Sequence, residues 1–130
     1  MAPPSRANIK NGMATFTVFN NEPDVRSFQA GQQIFAEGQA DDEHMYAVLD
    51  GEVELIRHNQ TLATIEPGGV FGVMALIDHQ PRVASAVART DCRVAAITAR
   101  RFTLLVSQNP PFALEMMRLL TDHIRQNLER

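Results

Sequence analysis

The sequence predicts a mainly β domain, a sandwich or barrel of short strands, closed by helices at its C-terminal end. Two observations carry this. From Phe28 to Thr98 short apolar runs are broken by glycines and turn pairs, the punctuation of an all-β fold. After Thr98 the apolar spacing lengthens to three and four residues, the period of an amphipathic helix. The 130 residues suit one domain, and 45% hydrophobic with 21% charged residues is an ordinary globular balance. A net charge of −3 supplies no broad basic field for nucleic acid or an anionic membrane surface. The start of the chain lacks the apolar core of a signal peptide, and no window reaches a membrane span. With its single cysteine, Cys92, in a strand-like segment, the chain fits a reducing cytoplasm.

Taken in order, residues 1–24 read as an N-terminal tail or lead-in, rich to about Asn11 in Pro, Ser and Asn with little to bury. "GQQIFAEG" sets Gly31 and Gly38 around the apolar pair Ile34-Phe35. "MYAVL" and "VELI" flank Asp50-Gly51, a pair suited to a type I′ turn, and predict a tight hairpin. "EPGGVFG" packs three glycines into a bend stiffened by Pro67. "RVASAVART" alternates Val83, Ser85 and Val87 with Ala84, Ala86 and Ala88, and the small face predicts close packing. "CRVAAIT" is read as alternating too and follows as another strand, reached through Thr90-Asp91.

A helix is expected on "RRFTLLVSQN", with Phe102, Leu105 and Val106 on one side and Asn109-Pro110-Pro111 ending it. A second, "PFALEMMRLLTDHIRQNLER", carries Ala113, Met117, Leu120 and Ile124 on one stripe, with Met116 and Leu128 beside it. The organisation is thus residues 25–98 as the β body and 99–130 as C-terminal helices, in a single domain.

"FGVMALIDHQPR", Phe71 to Arg82, carries the chemistry. Residues after Gly72 suit the start of a helical turn, whose free N–H groups favour a phosphate. Arg82 brings a planar guanidinium fork able to pair two oxygens. Other polar groups have plainer readings. His79 is a polar loop tip, and Asp41, Asp42 and Glu43 beside His44 form a solvated charge run rather than a metal site. Met116-Met117 read as core or interface rather than as a cap on a ligand. No G-x-S-x-G elbow, lysine-bearing P-loop or H-E-x-x-H is present, so no enzyme chemistry, metal or cofactor is expected.

Together "FQAGQQIFAEG", "MYAVLDGEVEL", "IEPGGVFG", "MAL" and "PRVAS", in this order, resemble the cyclic nucleotide-binding domain of catabolite-activator-type regulators, kinase regulatory subunits and gated channels. The resemblance spans Val25 to about Asn127. It implies a double-stranded β-helix, a jelly-roll β-roll, with a phosphate-binding cassette over 71–85 followed by C-terminal helices. It implies a ligand site at Phe71, Gly72, Val73, Met74, Ala75, Arg82, Val83, Ala84 and Ser85. There the amides of Met74, Ala75 and Val83 and the Arg82 side chain hold a cyclic phosphate, and Gly72 lies against the ribose. The family pattern has a glutamate after the glycine to accept from the ribose 2′-hydroxyl, whereas this chain has Val73.

A hydrogen bond to a carboxylate contributes about 1.5–3 kcal/mol, so its loss weakens nucleotide binding without removing the anion half of the site. The implied function is a cyclic-nucleotide sensor, cAMP ahead of cGMP because Val83 is not a hydroxyl residue, with Leu76 and the segment 116–120 relaying ligand state. The alternative is a degenerate module that takes another anion or serves as an interaction or dimerisation scaffold. A homodimer through the last helix and an unidentified downstream protein are the expected partners. Transcription-factor members carry a helix-turn-helix after this helix and the sequence ends at Arg130, so direct nucleic-acid contact is not expected.

Overall fold

The computed structural model describes residues 7–10, 13–40 and 42–128. Within the stretch read from sequence as a tail or lead-in, β1 (Ala7–Lys10) and β2 (Met13–Phe16) form an antiparallel ladder. Next come β3 (Val25–Phe28), β4 (Gln33–Phe35), β5 (His44–Asp50), β6 (Val53–Arg57), β7 (Gln60–Ile65) and β8 (Val70–Phe71). A 3-10 turn, Val73–Leu76, leads to β9 (Ser85–Ala88) and β10 (Cys92–Thr98), then to α1 (Ala99–Gln108) and α2 (Pro111–Leu128). Two four-stranded sheets result, ordered β3-β10-β5-β8 and β4-β9-β6-β7, and every strand pairing among the described residues is antiparallel. The mainly β body with two C-terminal helices is the architecture expected.

The first sheet is the middle layer. Met45 and Ala47 of β5, with Ala95 and Ile97 of β10, join a core that includes Phe16, Phe19, Leu105, Phe112, Met116 and Leu119. The alternate residues Tyr46, Val48, Val94 and Ala96 turn into a second core with Phe35, Val53, Ile65, Phe71, Ala86 and Ala88 from the facing sheet. The alternation expected of "CRVAAIT" does not hold: Val94, Ala95, Ala96 and Ile97 are all buried, because a strand covered on both faces reads as a continuous apolar run, as "MYAV" does in β5. Ala84, Ala86 and Ala88 are buried as their small-residue face predicts, while Val83 is half exposed.

Two expectations need correcting. Asp50-Gly51 does not close a hairpin, because β5 pairs with β10 and β8 while β6 pairs with β7 and β9. Gly51, at φ 77°, is the corner where the chain leaves one sheet for the other, and a Cβ there would run into the Asp91 carbonyl and Cys92. The two-residue hairpin is β6–β7, where Arg57 faces Gln60 across His58 (φ 52°) and Asn59 (φ 63°), both left-handed as a type I′ turn requires.

The packed face of α2 is likewise Phe112, Met116 and Leu119, not the stripe of Ala113, Met117, Leu120 and Ile124. Phe112 decides this: its ring meets Phe16, Phe19 and Phe102 at centroid distances of 5.5, 5.4 and 5.5 Å, which turns the helix by about one residue, or 100°. Leu114, Met117 and Ile124 stay 58–60% exposed. Leu128's side chain lies outside the described residues. The predicted end of α1 holds, with Thr98 accepting from the Arg101 amide at its N-terminus and the Asn109 amide closing its last turn.

Candidate functional site

Gly72 adopts φ 71°, ψ 20°, a left-handed conformation open to glycine at little cost, and it turns the chain from β8 into the 3-10 turn. Ten residues later Arg82 folds back beneath it. Its Nη1 donates to the Gly72 carbonyl at 3.2 Å and lies 2.8 Å from where a Gly72 Cβ would sit, so glycine is also required sterically. The guanidinium carbon stands 4.0 Å above the Phe35 ring, an attractive cation–π placement, and Arg82 is only 6% exposed.

A buried guanidinium needs a counter-charge, and Asp42 provides it. Arg82 Nη2 donates to Asp42 Oδ1 at 2.6 Å and to the His44 carbonyl at 2.8 Å. Asp42 is fixed from other sides: the Tyr46 hydroxyl donates to Oδ2 at 2.7 Å and the His44 amide to Oδ1 at 3.1 Å. The Tyr46 ring in turn stacks on Phe71 at 5.3 Å. Burial pushes the Asp42 carboxyl upward, but the hydroxyl of Tyr46 and the charge and hydrogen bond of Arg82 outweigh it and leave it below its ordinary value. Burial and then Asp42 hold the Tyr46 phenol protonated far above its usual range. Arg82 Nε is buried and has no hydrogen-bond partner.

The solvated charge run expected at 41–43 is therefore wrong for Asp42, whose side chain is one-third exposed and tied to the buried arginine. Glu43 takes a left-handed φ of 61°, so the residues of the run do not follow a regular extended path. Asp41 lies outside the described residues. The sequence signal for this partner was weak: an acid four residues before a tyrosine, ahead of a buried strand.

The other expected site residues divide by placement. Phe71, Ala75 and Ala84 are buried, so their side chains are framework. Val73 is half-buried and packs with Leu76 against the core that holds Phe112, Met116 and Leu119. Met74 and Val83 are 50% exposed and Ile77 66%, giving the turn an apolar outer surface. Ser85 Oγ accepts from the Glu37 amide at 2.8 Å and faces the β4–β5 connection. The turn has only four residues, so it lacks the aligned dipole of a full helix, and the Ala75 amide donates to the Gly72 carbonyl at 3.3 Å. An open depression of about 550 Å³ lined by Ser27, Gln32, Asp50, Asp91 and Arg93 lies near the far end of β5, ~20 Å along the strand from His44. Arg93 and Asp50 there pair with each other.

Comparison with known proteins gives a consistent set of matches. The family model described as cyclic nucleotide-binding domain matches residues 25–109. The cyclic AMP receptor protein of Thermus thermophilus is 33% identical over 106 residues, 78% of this chain and 49% of the receptor. A cAMP-dependent protein kinase regulatory subunit from Eremothecium gossypii is 34% identical over 91 residues, 68% of this chain and 20% of the subunit. The crystal structure of the Thermus thermophilus catabolite activator protein superposes with a TM-score of 0.74 at 33% identity, over 82% of this chain and 52% of that one. The chain therefore spans from a fifth to about half of the length of these relatives.

Proposed function

The chain belongs to the cyclic nucleotide-binding domain family, and from that premise we propose that it is a cyclic-nucleotide sensor, taking cAMP ahead of cGMP and passing ligand state to its C-terminal helix. The observation that carries the reading is Arg82: a buried, single guanidinium beneath a left-handed glycine, with Nε unpartnered. A buried N–H without a partner costs free energy, and a phosphate oxygen is a strong acceptor that relieves it. Gly72, Val73, Met74, Ala75, Val83, Ala84 and Ser85 form the surrounding cassette in this reading. Val73 leaves the sugar without a carboxylate partner, so affinity is reduced rather than lost.

Packing supports the relay. Arg82 lies under the Gly72 turn, so a ligand reaches it by lifting that turn, and Val73 and Leu76 move with it against Phe112, Met116 and Leu119 of α2. The exposed Leu114, Met117 and Ile124 give α2 an apolar outer seam suited to pairing with a second copy, as the homodimer reading requires.

A thermal-shift assay with cAMP and cGMP tests the function. At a hundred times its dissociation constant a ligand adds about 2.7 kcal/mol, and the unfolding midpoint rises by several degrees. No shift with either nucleotide at millimolar concentration would leave the scaffold reading in its place.

A further inference from the structure

We propose that Asp42 acts as a charge filter on the Arg82 site, admitting singly charged phosphodiesters and turning away doubly charged phosphomonoesters; the inference rests on the reading that Arg82 holds the ligand's phosphate. The geometry comes first. Arg82 leaves Nε unpartnered, and Nε shares an edge of the guanidinium with Nη2, which already donates to Asp42. Arg101 shows how that edge takes an anion, giving Nε and Nη2 to the two oxygens of Glu22 at 2.8 and 2.7 Å. At Arg82 an incoming phosphate finds one half of the edge occupied by a carboxylate. A phosphate oxygen on Nε therefore stands within about 4–6 Å of another negative charge, a range in which like charges act strongly on each other.

Asp42 has little freedom to withdraw, being held by the Tyr46 hydroxyl and the His44 amide as well as by Arg82. Among the described residues, the charged and titratable groups recorded around it are Arg82 directly, the His44 ring with Nδ1 3.9 Å from Oδ1, and Arg26 beyond the Tyr46 hydroxyl, itself paired with Asp24. Arg82 and Asp42 together sum to zero. In a field so nearly balanced a second ligand charge gains little attraction, while the cost of desolvating an ion rises with the square of its charge. An arginine alone would favour the dianion; this pair favours the monoanion.

The test is calorimetric titration of 3′,5′-cyclic AMP and 5′-AMP into the wild type and Asp42→Asn. At about pH 7.5 the cyclic diester carries one charge and the monoester two, its second ionisation lying near 6. The expected result is that cAMP binds the wild type and AMP binds at least tenfold more weakly. In Asp42→Asn that gap narrows at least tenfold because AMP gains. An unchanged gap would mean that shape alone selects, and equal losses for both nucleotides would mean that Asp42 only orients Arg82; either overturns the filter while the sensor reading stands. If neither nucleotide binds either protein, the sensor reading itself fails and the filter with it.

The wild type gives a second readout that needs no variant. Between about pH 7.5 and 5.5 the singly charged share of AMP rises about 25-fold. AMP affinity is expected to rise by a similar factor relative to cAMP, whose charge is constant. A constant affinity ratio across that range overturns the proposal.

Discussion

Arg82 and Asp42 meet at 2.6 Å, and that contact sets what the site does at acid pH. Asp42's carboxyl is held below its ordinary value of 3.8, so its contribution to stability is present above that value and is lost as pH falls through the lower folded value. Asp42→Asn is therefore expected to lower stability at neutral pH by about 1 kcal/mol, with the difference from wild type shrinking below about pH 3.8. Denaturant midpoints at the two ends of that range measure it. Gly72 and Arg82 could be singled out in the sequence as a glycine bend with an arginine ten residues on behind a proline, and the structure brings the two into contact. Asp42 could not, because consecutive acids look solvated until a left-handed residue and a distant arginine place one of them inside. The same holds for Tyr46, whose hydroxyl role depends on Asp42.

At the scale of elements, strand existence was legible and strand partnership was not. "MYAVL" and "VELI" are both strands, but an Asp-Gly pair suits a corner between sheets as well as a hairpin, and only the ladders with β10 and β9 decide which. The true hairpin uses His58-Asn59, a weaker version of the favoured Asn-Gly pair. Replacing it by His58→Asn with Asn59→Gly is expected to stabilise the protein by about 1 kcal/mol, since left-handed backbone costs other residues roughly that much. Thermal unfolding of the double variant checks this. For α2, the heptad-like stripe is real in the sequence, yet Phe112 claims a neighbouring face for the core. What it leaves outside, Leu114, Met117 and Ile124, is the apolar seam that the proposed dimer would use. Met117→Glu with Ile124→Glu is expected to convert a dimer to a monomer in sedimentation velocity without lowering the melting temperature of the dilute protein; a dimer that persists would move the interface elsewhere.

The whole molecule is a middle sheet between a second sheet and a helical layer, with the cassette linking the two cores. Phe71, before Gly72, belongs to the inter-sheet core; Val73 and Leu76, after it, pack on the helical core. The N-terminal segment is fastened to the helices by Phe16 and Phe19 against Phe112, and by Glu22, whose side chain is 2% exposed and paired with Arg101 at 2.7 Å. Val73 and Leu76 thus share a core with Phe112, Met116 and Leu119 of α2, and no helix among the described residues is long and apolar enough to cross a membrane. Layering of this kind was only partly legible, since composition and periodicity give strands and helices but not which face of a central strand meets which layer.

The central claim, that Arg82 beneath Gly72 is the grip on a cyclic nucleotide and Val73 the cause of a weakened hold on the sugar, is tested most directly by calorimetric titration of cAMP into the wild type, Arg82→Ala and Val73→Glu. Binding in the wild type that vanishes in Arg82→Ala and tightens roughly ten- to hundredfold in Val73→Glu is the expected result. Binding that survives Arg82→Ala unchanged, or no heat from any of the three proteins, would contradict it.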